Sequence, residues 1–250
     1  MESDAAHRET PANLAREFVI AIATLSRWSL LARAEFGDSE RRARALVFLP
    51  IGGLVAGVAI ASIDRAIGIS FVAILLLELA TGAMEVIGIA DLIDAIRIGS
   101  RPASTGLARI GPVGALAAIG WFIATIGALA SIHDATDRSA ALVMALMLSR
   151  WALVPIGYGL RPLERWGLGV PYEGPIRFRE FSVSSAVALF LTMMLYENLG
   201  LVVIVALALT ILALRLILSR RLGGAAGYAL AGCMALCELV VLATMAALAR

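Results

Sequence analysis

Apolar runs about as long as a bilayer is thick alternate along this chain with short segments that carry its charges. A hydrocarbon core about 30 Å thick takes about 20 apolar residues in a helix. Seven segments reach or approach that length: 46–67, 69–90, 110–132, 139–160, 183–195, 199–218 and 225–248. The fifth is the shortest. A span must satisfy its backbone internally, so the pattern predicts an all-α fold, a polytopic membrane helix bundle of about seven transmembrane helices. No strand-like alternation and no internal repeat is visible. Upstream, residues 12–35 mix apolar side chains with Arg16, Arg27 and Arg33. The stretch 18–26 is too short to span, and the segment reads as an amphipathic helix at the membrane surface. The organisation expected is a cytoplasmic segment over 1–45 and one transmembrane bundle domain over 46–250. Residues 2–9 are more acidic than basic, and the start does not read as a signal peptide.

Composition agrees with the pattern: 60% of residues are hydrophobic, 16% are charged and the net charge is +2. That excludes an ordinary soluble domain and argues against a nucleic-acid partner, leaving the lipid bilayer as the surrounding partner. Every basic residue is Arg, and these alternate from loop to loop. Seven lie within residues 1–45; Arg97, Arg101 and Arg109 follow the second run; Arg161, Arg165, Arg177 and Arg179 follow the fourth; Arg215, Arg220 and Arg221 follow the sixth. The intervening connections are poor in base. By the positive-inside rule the N-terminus is cytoplasmic and the C-terminus outside, in a cell inner membrane. Cys233 and Cys237 lie four apart in an apolar run and read as small core residues rather than a disulfide.

The second run changes this picture. It reads LLLELATGAMEVIGIADLIDAI and carries Glu78, Glu85, Asp91 and Asp94. A charge near a bilayer midplane costs about 2.5–3.5 kcal/mol on insertion scales, so such acids serve an ion, a pathway or a partner. The topology puts Glu78 mid-membrane, Glu85 deeper, and Asp91 with Asp94 at the cytoplasmic mouth. A spacing of three keeps Asp91 and Asp94 on one helix face. They repel unless a cation lies between them, and Mg2+ takes one or two carboxylates together with substrate phosphates. The alternative is a pair of solvated residues at a helix end. Arg150 in the fourth run and Glu238 in the seventh call for opposite charges, so Arg150 is expected to pair with Glu78 or Glu238. Arg109, Gly111 and Gly114 precede a helix and would let a phosphate approach its N-terminus. Arg220, Arg221, Gly223 and Gly224 precede the last helix; they read either as phosphate contacts or as an orientation signal with small-residue packing.

Several of these segments, taken together, resemble the cobalamin synthase family. The family core motif runs approximately TGALHLDGLADTADG, and residues 81–95 read TGAMEVIGIADLIDA. Its next motif is approximately DSRIGTYG, against LARIGPVG at 107–114; a C-terminal motif, approximately RRLGGVTGDTLGA, is matched by RRLGGAAGYALAG at 220–232, with Glu238 following. The run FLPIGGLVAG at 48–57, the SRWA segment and the glycines Gly167 and Gly169 fall in family order. Three family acids are replaced here, by Ile87, Leu107 and Tyr228, and Glu85 stands where the family has His. Positions 87, 91 and 94 share one helical face.

The resemblance implies a membrane phosphotransferase that joins adenosylcobinamide-GDP to α-ribazole or its phosphate, with release of GMP. It implies Asp91, Asp94 and Arg109 as catalytic residues, with Asp91 and Asp94 holding Mg2+. Gly111, Gly114, Arg220, Arg221, Gly223 and Gly224 would bind substrate, and Glu85, Arg150 and Glu238 would support the site. Partners would be the cobinamide nucleotide and ribazole substrates, with a homo-oligomer or a cobamide-assembly complex compatible with the family. The alternatives are an inactive scaffold or regulator on the same fold and, third, a small-molecule transporter lined by Glu78, Arg150 and Glu238.

Overall fold

The computed structural model describes residues 45–98, 110–161, 163 and 176–249. Among these, all regular structure is helical. The amphipathic N-terminal segment, Arg101, Leu107, Arg109, Arg165, Gly167 and Gly169 lie outside the described residues. A 3-10 turn, Leu46–Phe48, leads into α1 (Leu49–Ile67), which has a proline in its first turn and ends on Gly68 in the left-handed region. The helices α2 (Ser70–Thr81), α3 (Met84–Ile98), α4 (Pro112–Ala130) and α5 (Ala135–Gly157) follow.

Two departures from the sequence reading matter. The apolar run 69–90 is not one straight helix: α2 and α3 meet at 79°. The cause is local. Gly82 (φ 72) and Ala83 (φ 57) are both left-handed. A glycine adopts that region freely, whereas an alanine does so at a cost of about 1–2 kcal/mol. Two such residues in succession cannot continue a right-handed helix. The second departure is in the opposite direction. The short run 183–195 belongs to a full-length helix, α6 (Phe178–Glu197). At Glu197 (φ 46, ψ −126) the chain leaves helical geometry, and α7 (Leu199–Leu222) begins. A Cβ on Gly200 would lie 2.8 Å from the Thr192 side chain, so α7 folds back against α6 as a hairpin. The last turn of α7, Leu218–Leu222, widens to a π turn, and α8 (Gly227–Leu248) closes the chain. Among the described residues six helices are long and apolar enough to cross a membrane, or seven with the bent pair α2–α3 counted as one span.

Helices apolar all round belong in a core or in lipid, and side-chain size separates the two here. Small residues let α8 (GYALAGCMALCELVV) and α5 sit centrally; 83% of the apolar stretch of α5 is buried against 28% for α4. Leu116, Phe190, Met194, Leu209 and Leu212 form part of an exposed apolar belt around them. Gly53 and Gly57 face the backbone of α5 at Leu146, Met147 and Val143, a small-xxx-small contact. Gly88 of α3 meets Gly232 of α8 in the same manner. Cys233 and Cys237 are buried and free, as expected.

Candidate functional site

The helix α3 carries the acids, and three devices seat it. At its first turn, Glu85 Oε1 accepts a hydrogen bond from Arg150 Nη2 at 2.5 Å. Arg150 Nη1 donates to Glu238 Oε2 on α8 at 2.5 Å and to its neighbour Ser149 Oγ at 2.8 Å. One guanidinium, 1% exposed, thus ties α3, α5 and α8 together. Its Nε, both carboxylate oxygens of Glu78 and the second oxygen of Glu85 have no hydrogen-bond partner among the described residues. Midway along α3, the Gly88–Gly232 contact brings the backbones of α3 and α8 together. Beside it, Trp121 of α4 donates its indole N–H to the Ala235 carbonyl of α8 at 2.9 Å.

The third device is Asp94. Its Oδ2 accepts the Gly111 N–H at 2.6 Å and its Oδ1 the Gly114 N–H at 3.0 Å. A side chain of α3 therefore caps the N-terminus of α4, where unpaired N–H groups and the helix dipole favour a negative group. The glycines are needed for this approach, since a Cβ on Gly111 would stand 2.7 Å from Asp94 Oδ2. The amides expected to receive a phosphate are here held by Asp94. Asp91 is buried on the same face of α3, with the half-buried Ile87 one turn before it.

The same end of the bundle gathers basic groups. Arg215 Nη1 donates to the carbonyls at the end of α5, those of Pro155, Ile156 (3.2 Å) and Tyr158 (2.6 Å). Arg220 and Arg221 are exposed on the π turn, which touches α3. Gly223 (φ 75) ends that turn in the left-handed region. Gly224 lies against the Arg161 carbonyl, and Ala225 exchanges backbone hydrogen bonds with Arg161 (2.9 Å) and Leu163 (3.0 Å). The double glycine thus has a structural use beside the one expected of it. Tyr228 is buried at the start of α8.

The structure brings Asp94, Gly111 and Gly114 together, with Asp91 one turn earlier on α3, and places the Arg220–Arg221 turn beside α3. Glu85, Arg150 and Glu238 form a separate group deeper in the bundle. Sequence reasoning paired Arg150 with Glu78 or Glu238; Glu238 is a partner, Glu85 is the second, and Glu78 makes no hydrogen bond to it. The i, i+7 spacing of Glu78 and Glu85 would have put both on one face of a straight helix, which hid the choice between them. Among the described residues no group of three or more His, Cys, Asp or Glu converges as a metal cage. Asp91 and Asp94 fit a Mg2+ ion completed by water and substrate phosphates, because each Asp94 oxygen keeps a lone pair after accepting one N–H.

Fold and site together define a multi-pass membrane protein with a carboxylate and arginine cluster at one end of its bundle. A family model described as cobalamin-5-phosphate synthase matches residues 17–246, and the chain belongs to that family. It is similar to an adenosylcobinamide-GDP ribazoletransferase of Citrobacter koseri, with 28% identity over 244 residues, covering 92% of this chain and 98% of the relative. No solved structure matches.

Proposed function

We propose that the chain joins adenosylcobinamide-GDP to α-ribazole, or its phosphate, giving adenosylcobalamin or its phosphate with release of GMP. The observation that carries this reading is the family match along nearly the whole chain; the burial of Asp91 and Asp94, on one face of α3, supports it. In the reaction a ribazole hydroxyl oxygen bonds to the phosphorus attached to cobinamide. The bond from that phosphorus to the oxygen of GMP breaks, GMP takes the electron pair, and the hydroxyl proton leaves to water. Such transfer rests on positioning and on neutralising phosphate charge. Asp94 fixes the mouth of α4 against α3. Arg220 and Arg221, exposed on the turn beside α3, would meet phosphate oxygens through fork-shaped hydrogen bonds. Arg109, outside the described residues, is assigned the same task. Asp91 and Asp94 would hold Mg2+, the expected cofactor, which would supply neutralisation of phosphate charge.

The reacting end is assigned to the cytoplasmic face of the inner membrane, with the N-terminus inside and the C-terminus outside. The distribution of charge supports this. Arg97, Arg161, Arg177, Arg215, Arg220 and Arg221 lie toward the Asp94 end, while Asp134 and Asp137 lie at the other, where Arg138 is paired with Asp64 at 2.8 Å.

The test is direct. Purified protein in detergent is given adenosylcobinamide-GDP and α-ribazole with Mg2+. Stoichiometric GMP and cobalamin are expected; no product with any divalent cation would overturn the enzyme reading and leave a scaffold on the same fold.

A further inference from the structure

We propose that Arg161 is a further phosphate-binding residue, fastened by a backbone clasp to the segment that follows the Arg220–Arg221 turn, and that with Arg220 and Arg221 it takes the phosphates of a nucleoside diphosphate. The proposal rests on the transferase reading only for the identity of that nucleotide. Arg161 follows the end of α5, whereas Arg220 and Arg221 lie on the π turn that ends α7. The Ala225 N–H donates to the Arg161 carbonyl at 2.9 Å, and the Leu163 N–H donates to the Ala225 carbonyl at 3.0 Å. Arg161 is thus itself one of the paired residues, and Ala225 lies four residues after Arg221. Glycine makes this clasp possible. Gly223 (φ 75) turns the chain out of α7 in the left-handed region. A Cβ on Gly224 would collide with the Arg161 carbonyl oxygen and stand 2.9 Å from the Leu163 side chain.

The side chains of the clasp divide by polarity. Leu163 and Leu222 pack against the hydrophobic core, while Arg161, Arg220 and Arg221 are exposed. Other arginines spend their donors inside the protein: Arg138 on Asp64, Arg150 on Glu85 and Glu238, and Arg215 on the carbonyls at the end of α5. Among the described residues, the guanidiniums of Arg161, Arg220 and Arg221 have no ion-pair or hydrogen-bond partner. They lie toward the Asp94 end, where the π turn touches α3. An orientation signal needs only basic residues in a connection. It does not need the backbones of two connections to be paired through a glycine. Binding does benefit from that pairing, because a backbone fixed beforehand lowers the ordering cost of capturing a ligand. The planar fork of arginine matches phosphate oxygens, and a diphosphate offers enough of them for more than one fork.

The test is binding of GDP alone to the full chain in detergent, by titration calorimetry, beside turnover of adenosylcobinamide-GDP. Arg161→Ala should raise the Kd for GDP about tenfold, the effect of losing a charge-assisted hydrogen bond. Its melting temperature should barely move, because the clasp uses the Arg161 backbone and the side chain is exposed. Arg161→Lys keeps the charge without the fork and should fall between the two. Gly224→Ala should also weaken GDP binding, with every arginine retained, because it forces the Arg161 carbonyl away. Arg65→Ala, at the far end of α1, should leave the Kd unchanged. Added phosphatidylglycerol should not displace GDP; displacement would assign the arginines to lipid headgroups and overturn the proposal. Wild-type turnover, with the Kd and KM of Arg161→Ala within about twofold of wild type, overturns the proposal and leaves the transferase reading standing. GDP binding that weakens in Arg161→Ala, in a protein that makes no product, supports the proposal and removes the transferase reading. Absence of GDP binding by wild type, an equal loss in Arg65→Ala, or failure of Arg161→Ala to melt cooperatively each overturns the proposal.

Discussion

Two groups of carboxylates on the α2–α3 segment do different work, and the difference lies in what completes each one. At the core, Glu85 is completed by a cation from another helix, Arg150, which also takes Glu238. At the bundle end, Asp94 is completed by backbone N–H groups of α4. The first arrangement is closed: the guanidinium is buried, and its bonds join three helices. The second leaves lone pairs on the acid, and the turn that carries the exposed Arg220 and Arg221 touches the same helix. Similar side chains, nine residues apart on one helix, therefore serve as a fastener in one place and as a helix cap, at the proposed site, in the other.

The sharpest way to break this comparison is at the fastener. Arg150→Ala leaves Glu85 and Glu238 without their cation, and removing one partner of a buried pair costs about 3–5 kcal/mol. The expected outcome, read by thermal or chaotrope melts in detergent, is severe destabilisation or no folded protein. Intact stability and expression would remove the fastener role. Next in size is Asp94→Asn, which puts an amide against the Gly111 and Gly114 amides. Loss of a charge-assisted cap should lower stability by about 1–3 kcal/mol, less than the core change. Gly88→Val should rank near it, because the added side chain meets the α8 backbone at Gly232. Overpacking of this kind costs about 1–3 kcal/mol.

How far the sequence carried this comparison can be judged residue by residue. Arg150 and Glu238 stood out because a charge in a long apolar run has few explanations, and their pairing was foreseen. The start of α4 was visible in the segment of Arg109, Gly111 and Gly114, although Gly114 lies inside its first turn. The 79° break was not, because hydropathy averages composition and passes smoothly over Gly82 and Ala83. Only the backbone angles record the turn. The beginning of α6 was missed because Glu180, Ser182, Ser184 and Ser185 dilute its apolar signal. The Asp94 cap joins residues on either side of a connection, and no local pattern encodes such a contact.

Two smaller effects sharpen the picture. Ala83→Gly relieves a left-handed alanine at the break and should stabilise the protein by up to about 1 kcal/mol in the same melts. A loss of stability would mean that the alanine side chain contributes packing that outweighs its backbone. At the opposite end of the bundle, Asp134 caps α5 by accepting the Thr136 and Asp137 N–H groups at 2.8 and 3.0 Å. These bonds hold its carboxyl below the ordinary value of 3.8. Its contribution is present above that value and lost as pH falls through the lower, folded one. Asp134→Ala should therefore differ least from wild type in strong acid, as melts across pH would record.

The central claim is that the Asp94 end is where GMP is released, and one measurement addresses it most directly. GMP release from adenosylcobinamide-GDP and α-ribazole is compared for wild type and Asp94→Asn, each verified to melt cooperatively. The account predicts a fall of about 100-fold in the variant. Release within about twofold of wild type, from a folded variant, would contradict it.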